Sequence, residues 1–241
     1  DLAEKMLLET ARKPTDGYIY RVFNRPLSLR ISRMLLKTGI QPNTISILNM
    51  IPGLLSALIL LVPTHWATAL SGLLFQLASV FDGCDGEVAR LGYRGTKRGA
   101  FVDTVCDVAV YIVYMAILPV GVYLRTGRVE TFIAGLITIV TVVLLYVVMI
   151  RYMKQVHGGG SMVRIITDIH KDAMSKQTGW IAWILSKSAA VFRRDFFSLF
   201  FCCMSLINAL DILFGLILLL CPIALILLFM YTRQKSICKA N

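Results

Sequence analysis

Asp82-Gly83-Cys84-Asp85-Gly86-Glu87-Val88-Ala89-Arg90, then eight residues to Gly99, then Ala100-Phe101-Val102-Asp103-Thr104-Val105-Cys106-Asp107, is where two long apolar segments meet. Four aspartates fall inside the ends of those segments, where ionised carboxylates are costly. Residues three or four apart share one face of a helix. Asp82 and Asp85 therefore point together from one helix, and Asp103 and Asp107 from the next. Antiparallel packing of the two helices gathers all four carboxylates into one cluster.

Outward from this stretch the chain is a membrane protein. It has 241 residues, 57% apolar and 16% charged, with a mean hydropathy of +0.71, outside the range of ordinary soluble domains. Runs of about 20 apolar residues, the length that crosses a bilayer, occur near 44–62, 66–90, 99–124, 130–154, 195–209 and 212–231, the fifth being the shortest. A stretch such as 214–231 offers water no polar face, which excludes a soluble core. The expected fold class is an all-α integral membrane protein, a six-transmembrane-helix bundle preceded by an amphipathic juxtamembrane helix. Residues 1–17 read as a linker, 18–41 as a basic amphipathic helix lying on the membrane surface, and 42–241 as the membrane domain.

All but Arg125 and Arg128 of the 25 basic residues fall on one side when the N-terminus is inside. The positive-inside rule therefore places both termini in the cytoplasm and the aspartates at the cytoplasmic end. Basic residues beside an anionic leaflet also account for the net charge of +11 without a nucleic-acid partner. The six cysteines show no Cys-x-x-Cys pair and read as buried thiols. A further interfacial helix is expected near 180–191, after the Gly158-Gly159-Gly160 run.

Four like charges at membrane depth need compensation, and hard carboxylate oxygens without His or Cys partners select Mg²⁺ or Mn²⁺. Mg²⁺ commonly keeps positions for substrate phosphates, so the cluster points to a pyrophosphate substrate. Gly86, Ala89 and Gly99 lack bulk and allow close approach of a ligand or a helix. Arg90, with Arg94, Lys97 and Arg98 beyond it, can neutralise a phosphate from the cytoplasmic side; membrane anchoring is the competing role for all four, and Arg90 is the one favoured for phosphate.

The pattern Asp82-x-x-Asp85-Gly86-x-x-Ala89-Arg90, eight residues, Gly99, three residues, Asp103, three residues, Asp107 resembles the full signature of the CDP-alcohol phosphotransferase (CDP-alcohol phosphatidyltransferase) family. The resemblance implies a six-helix membrane bundle, commonly dimeric, with a cytoplasm-facing polar cavity and a two-metal site for Mg²⁺ or Mn²⁺. It implies Asp82, Asp85 and Asp103 as metal ligands, with Asp107 sharing the cluster and acting as the base that deprotonates the acceptor hydroxyl. Gly86, Ala89, Arg90 and Gly99 correspond to positions lining the CDP site, and the acceptor oxygen attacks the β-phosphorus with CMP leaving.

Over residues 10–110 a closer resemblance, carried by Lys13-Pro14-Thr15-Asp16-Gly17, Asn24-Arg25-Pro26, Ser28-Leu29-Arg30 and Pro42-Asn43-Thr44, is to the membrane part of bifunctional inositol-1-phosphate cytidylyltransferase/di-myo-inositol-phosphate-phosphate synthases. In those proteins a cytidylyltransferase domain precedes this segment, and its glycine-rich, lysine-containing signature does not occur here. Asn43 and Thr44 stand at the mouth of the first span, for nucleotide contact or for helix capping. Arg151, Lys154 and Arg194 are candidates for binding an acceptor phosphate, with membrane anchoring the alternative. The acceptor is an inositol phosphate or a lipid hydroxyl, the second giving a phospholipid. Two readings from other classes are a divalent-cation transporter and a non-catalytic membrane anchor; the first needs acids continuing across the bilayer, and the second has no use for four aspartates.

Overall fold

A computed structural model of the chain describes residues 20–157, 168–169 and 194–240. The expected N-terminal linker, the glycine run and the interfacial helix near 180–191 lie outside these. The described residues form a short π-helical turn, Tyr20–Asn24, and seven α-helices: α1 (Arg25–Thr38), α2 (Pro42–Ile59), α3 (His65–Leu91), α4 (Lys97–Thr126), α5 (Val129–His157), α6 (Arg194–Leu206) and α7 (Leu210–Ala240). No strand occurs among them.

Five of the helices, α2, α3, α4, α5 and α7, are long and apolar enough to cross a membrane. The fifth expected span, already the shortest, ends three residues earlier than the sequence implies, at Leu206. α6 has 13 residues, about 20 Å at 1.5 Å per residue, against a hydrocarbon core of about 30 Å. Its end is a closed turn: Asn208 adopts φ +62°, its N–H bonds to Ser205 O at 3.3 Å, and Ala209 N–H reaches back to Met204 O at 2.8 Å. This paired arrangement around a left-handed residue stops a helix in spite of the apolar sequence that continues through Ala209.

α3 is the centre of the bundle. It packs on α2, α6 and α1, while α4 packs on α2 and α5, and α7 on α5. Phe75 of α3 lies among Tyr111 and Tyr114 of α4 and Phe197 and Phe201 of α6, with ring centroids 4.3–6.3 Å away. Small and hydroxylated residues let these backbones close up, the usual device where lipid supplies little hydrophobic drive. Ser56 of α2 and Ser71 of α3 each donate to the other's carbonyl at 2.8 Å. A Cβ on Gly72 would stand 2.7 Å from Ser205 Cβ, so α3 and α6 meet at a distance only glycine permits.

The expected amphipathic segment contains a helix whose Ile31, Leu35 and Leu36 pack on the bundle while Arg21, Arg30 and Arg33 stay exposed, and it also buries a polar set. Asn24, Arg25, Ser28 and Ser32 are buried, while Val22, Phe23, Leu27 and Met34 are exposed. The polar stripe of α1 and the turn before it points into the bundle, onto α3. Of the cysteines, Cys84, Cys106 and Cys202 are buried thiols as expected, whereas Cys203 is exposed and Cys221 half-buried.

Candidate active site

Two helix ends build the site. α3 brings Asp82 and Asp85 within its last three turns, and α4 brings Asp103 and Asp107 within its first three, so all four lie about 10–15 Å inside the same end of the bundle. Thr96 caps α4, its hydroxyl accepting from Gly99 N–H at 2.9 Å, which fixes where that helix begins. Arg94 donates to Gly39 O at 2.9 Å and ties the α3–α4 turn to the end of α1.

Carboxylate oxygens of Asp82, Asp103 and Asp107 lie within 4.8 Å of one another, all three residues half-buried. Three hard oxygen donors converging from two helices suit a hard divalent cation, and the donor set therefore fits Mg²⁺ or Mn²⁺. Among the described residues no other three His, Cys, Asp or Glu side chains converge in this way. Asp85 is buried beside this trio, its carboxyl adjoining those of Asp82 and Asp103. It accepts hydrogen bonds from the Ser46 hydroxyl of α2 and from Gly86 N–H. Ser46, unmarked in the sequence reading, thus links a third helix to the cluster.

Around the carboxylates, Arg90 folds back along α3, its Nη1 3.1 Å from the place a Cβ on Gly86 would take. Asn43 Oδ1 stands 2.8 Å from the corresponding point on Gly99, so the first turn of α2 meets the first turn of α4 at a residue without a side chain. Thr44 is exposed on that same turn, with its N–H bonded to Gln41 O at 3.0 Å. Ala89 is half-buried on α3. Arg151 is exposed near the end of α5, the end to which the antiparallel run of α4 and α5 returns. The side chains of Lys154 and Arg194 lie outside the described residues.

The model of one protein family, CDP-alcohol phosphatidyltransferase, matches residues 40–217, which takes in α2 to α6 and all four aspartates. The chain belongs to this family of enzymes. Its similarity to curated relatives is partial. It is 35% identical over 131 residues to a "Bifunctional IPC transferase and DIPP synthase" of Archaeoglobus fulgidus, covering 54% of this chain and 26% of the relative. To a protein of the same description from Aquifex aeolicus it is 41% identical over 117 residues, 48% of this chain and 26% of that one. It is also 36% identical over 81 residues to a "Phosphatidylinositol phosphate synthase" of Corynebacterium glutamicum, 32% of this chain and 34% of the relative. The chain spans about a quarter of the length of the bifunctional relatives.

One group in this family member escaped the sequence reading altogether. Glu87, inside the signature stretch but not a fixed position of it, is fully buried at 0% exposure. Its carboxylate accepts from Ser28 and Ser32, each at 2.7 Å, and from Tyr20 at 3.4 Å, and pairs with Arg25 at 3.2 Å. Burial and then the Glu87 charge hold the Tyr20 phenol well above its usual pKa, so it stays a hydrogen-bond donor. A fifth carboxylate at membrane depth was the available signal.

Proposed function

We propose that this chain transfers a phosphoalcohol group from a CDP-alcohol to an acceptor hydroxyl, releasing CMP. The observation that carries the reading is the convergence of Asp82, Asp103 and Asp107 within 4.8 Å from two antiparallel helices at one end of an apolar bundle. It is the arrangement a pyrophosphate-directed metal site needs. Bound at these carboxylates with Asp85, Mg²⁺ or Mn²⁺ in a two-metal site would neutralise the pyrophosphate of the CDP-alcohol. Arg90, lying over Gly86, adds positive charge from the protein side. Gly86, Ala89 and Gly99 leave room for the nucleotide, with Asn43 and Thr44 at its edge.

Asp107 takes the proton of the acceptor hydroxyl as the oxygen attacks the β-phosphorus. The new P–O bond forms as the bond to CMP breaks, and CMP leaves with the electron pair. Arg151, Lys154 and Arg194, on the same end of the bundle by chain topology, hold a phosphate on the acceptor. α6 with its closing turn completes a six-span bundle that works as a homodimer in the membrane, with both termini and the cluster on the cytoplasmic side.

An inositol phosphate acceptor and CDP-inositol donor are favoured by the likeness to the bifunctional proteins, 35–41% identical over the matched stretches. The complete system then needs a cytidylyltransferase, as a preceding domain or a separate chain. A lipid product is the second reading, favoured by the likeness to the phosphatidylinositol phosphate synthase. A cation pathway is poorly supported, because among the described residues the acids converge at one end only.

The test is CMP release by the purified protein in detergent with Mg²⁺, crossing CDP-inositol and CDP-diacylglycerol with inositol phosphate, glycerol phosphate and diacylglycerol. CMP formed from CDP-inositol only when inositol phosphate is present is the expected result. Release with CDP-diacylglycerol alone would shift the assignment to the lipid reading, and no release from any pair would remove the proposed activity.

A further inference from the structure

The side of α3 turned away from the aspartates carries Gln76, Gly83 and Glu87, with Ser79 on its flank, and each of the four faces the N-terminal segment. Gln76 donates to Asn24 Oδ1 at 2.8 Å and Asn24 donates to Ser79 at 3.2 Å. Tyr20 Oη occupies the space that a side chain on Gly83 would take. Glu87, fully buried, takes Ser28, Ser32 and Arg25 at 2.7, 2.7 and 3.2 Å. At about 100° per residue Glu87 projects roughly 140–200° around the helix from Asp82 and Asp85. One face of α3 thus carries the metal-facing carboxylates, and the opposite face is locked to α1.

We propose that Glu87 is a positioning residue for the aspartate cluster, setting the rotation of α3 about its axis through its buried contacts with Arg25, Ser28 and Ser32. The magnitudes make the coupling strong. A side-chain atom on the rim of a helix about 10–12 Å across swings by about 2 Å when the helix turns by about 20°. Metal–ligand distances are held to about 0.2 Å. A buried carboxylate with three polar partners and a cation resists such a turn, where apolar packing would tolerate it. The inference rests on the metal-dependent reading of the same site.

The experiment is a Mn²⁺ titration of the full chain in detergent, followed by electron paramagnetic resonance, with CMP release measured in parallel. Glu87→Gln keeps the volume and removes the charge. It is expected to weaken Mn²⁺ binding at least 10-fold and to raise the Mn²⁺ concentration for half-maximal turnover by a similar factor, with helix content and micelle-corrected size unchanged. Glu87→Asp is expected to recover part of the loss, because it keeps the charge near Arg25. A purely structural Glu87 would lower the thermal midpoint yet leave Mn²⁺ affinity at wild type well below that temperature, and this result overturns the proposal.

Should Glu87→Gln not fold, the Ser28→Ala/Ser32→Ala pair keeps the Arg25–Glu87 contact and removes two of its supports. Weaker Mn²⁺ binding there sustains the inference, and wild-type binding ends it. Wild-type protein that binds Mn²⁺ but releases no CMP would sink the transferase reading alone, leaving the Mn²⁺ comparison to decide the role of Glu87.

Discussion

Two aspartates in this cluster have separable duties. Asp107 shares the trio with Asp82 and Asp103, yet the proposed chemistry asks it also to take a proton. Asp107→Asn keeps an oxygen donor and loses the base. Turnover should fall by at least 10³-fold, an order-of-magnitude expectation for a lost general base with a damaged ligand set, while Mn²⁺ binding remains measurable. Asp82→Asn should weaken Mn²⁺ binding itself, read by the same titration; unchanged affinity would remove Asp82 as a ligand. The aspartates were legible in the sequence because a 3- or 4-residue spacing within one helix is enough to align them. Ser46 and Glu87 were not, because their partners sit 39 and 55–67 residues away in the chain, and nothing local reveals which segments will meet.

At the scale of the element, α1 and α6 are where pattern and structure part. Periodicity placed the arginines of 18–41 towards water, and Arg21, Arg30 and Arg33 are exposed while Ile31, Leu35 and Leu36 pack on the bundle. What periodicity does not reveal is a second, polar set that is buried. Asn24, Arg25, Ser28 and Ser32 find partners on α3, while Val22, Leu27 and Met34 remain exposed. α6, the shortest of the expected spans, was extended to Ala209 because apolar composition runs on past its end, and the left-handed Asn208 that stops it carries only a weak signal. Its short length makes its seat against α3 sensitive to volume. Gly72→Val would push side-chain carbon into Ser205 Cβ and the Cys202 Cα, 2.7 and 3.2 Å from a Cβ at that position. Overpacking of this kind costs about 1–3 kcal/mol. Gly215 of α7 has nothing within 4 Å of its Cβ position, so Gly215→Ala should be neutral or gain about 0.5–1 kcal/mol from helix propensity. Thermal midpoints of the two variants in the same detergent check the pair; a tolerated Gly72→Val would mean that α6 moves freely against α3.

For the whole molecule, the open matter is which way the bundle sits, and chain topology turns that into a single choice. α3 ends and α4 begins at the aspartates, so the turn joining α4 to α5 at Gly127 and Arg128 must lie on the opposite side of the membrane. α1 ends against the start of α2 and is tied to the α3–α4 turn through Arg94 and Gly39, so Lys37 belongs to the aspartate side. Lys37 and Arg128 are both exposed, which makes them reporters of opposite faces. Basic residues crowd the aspartate side, and moving such charges outward is disfavoured. A cysteine replacing Arg128, in a chain whose six native cysteines are removed, should therefore react with a membrane-impermeant maleimide applied to intact cells, and one replacing Lys37 should react only after the cells are opened. The same orientation is what a CDP-alcohol donor requires, since a charged nucleotide made in the cytoplasm does not cross the bilayer core. Labelling in the reverse order would put the aspartates outside and separate them from that donor, a result that would count against the transferase reading as well as against the orientation.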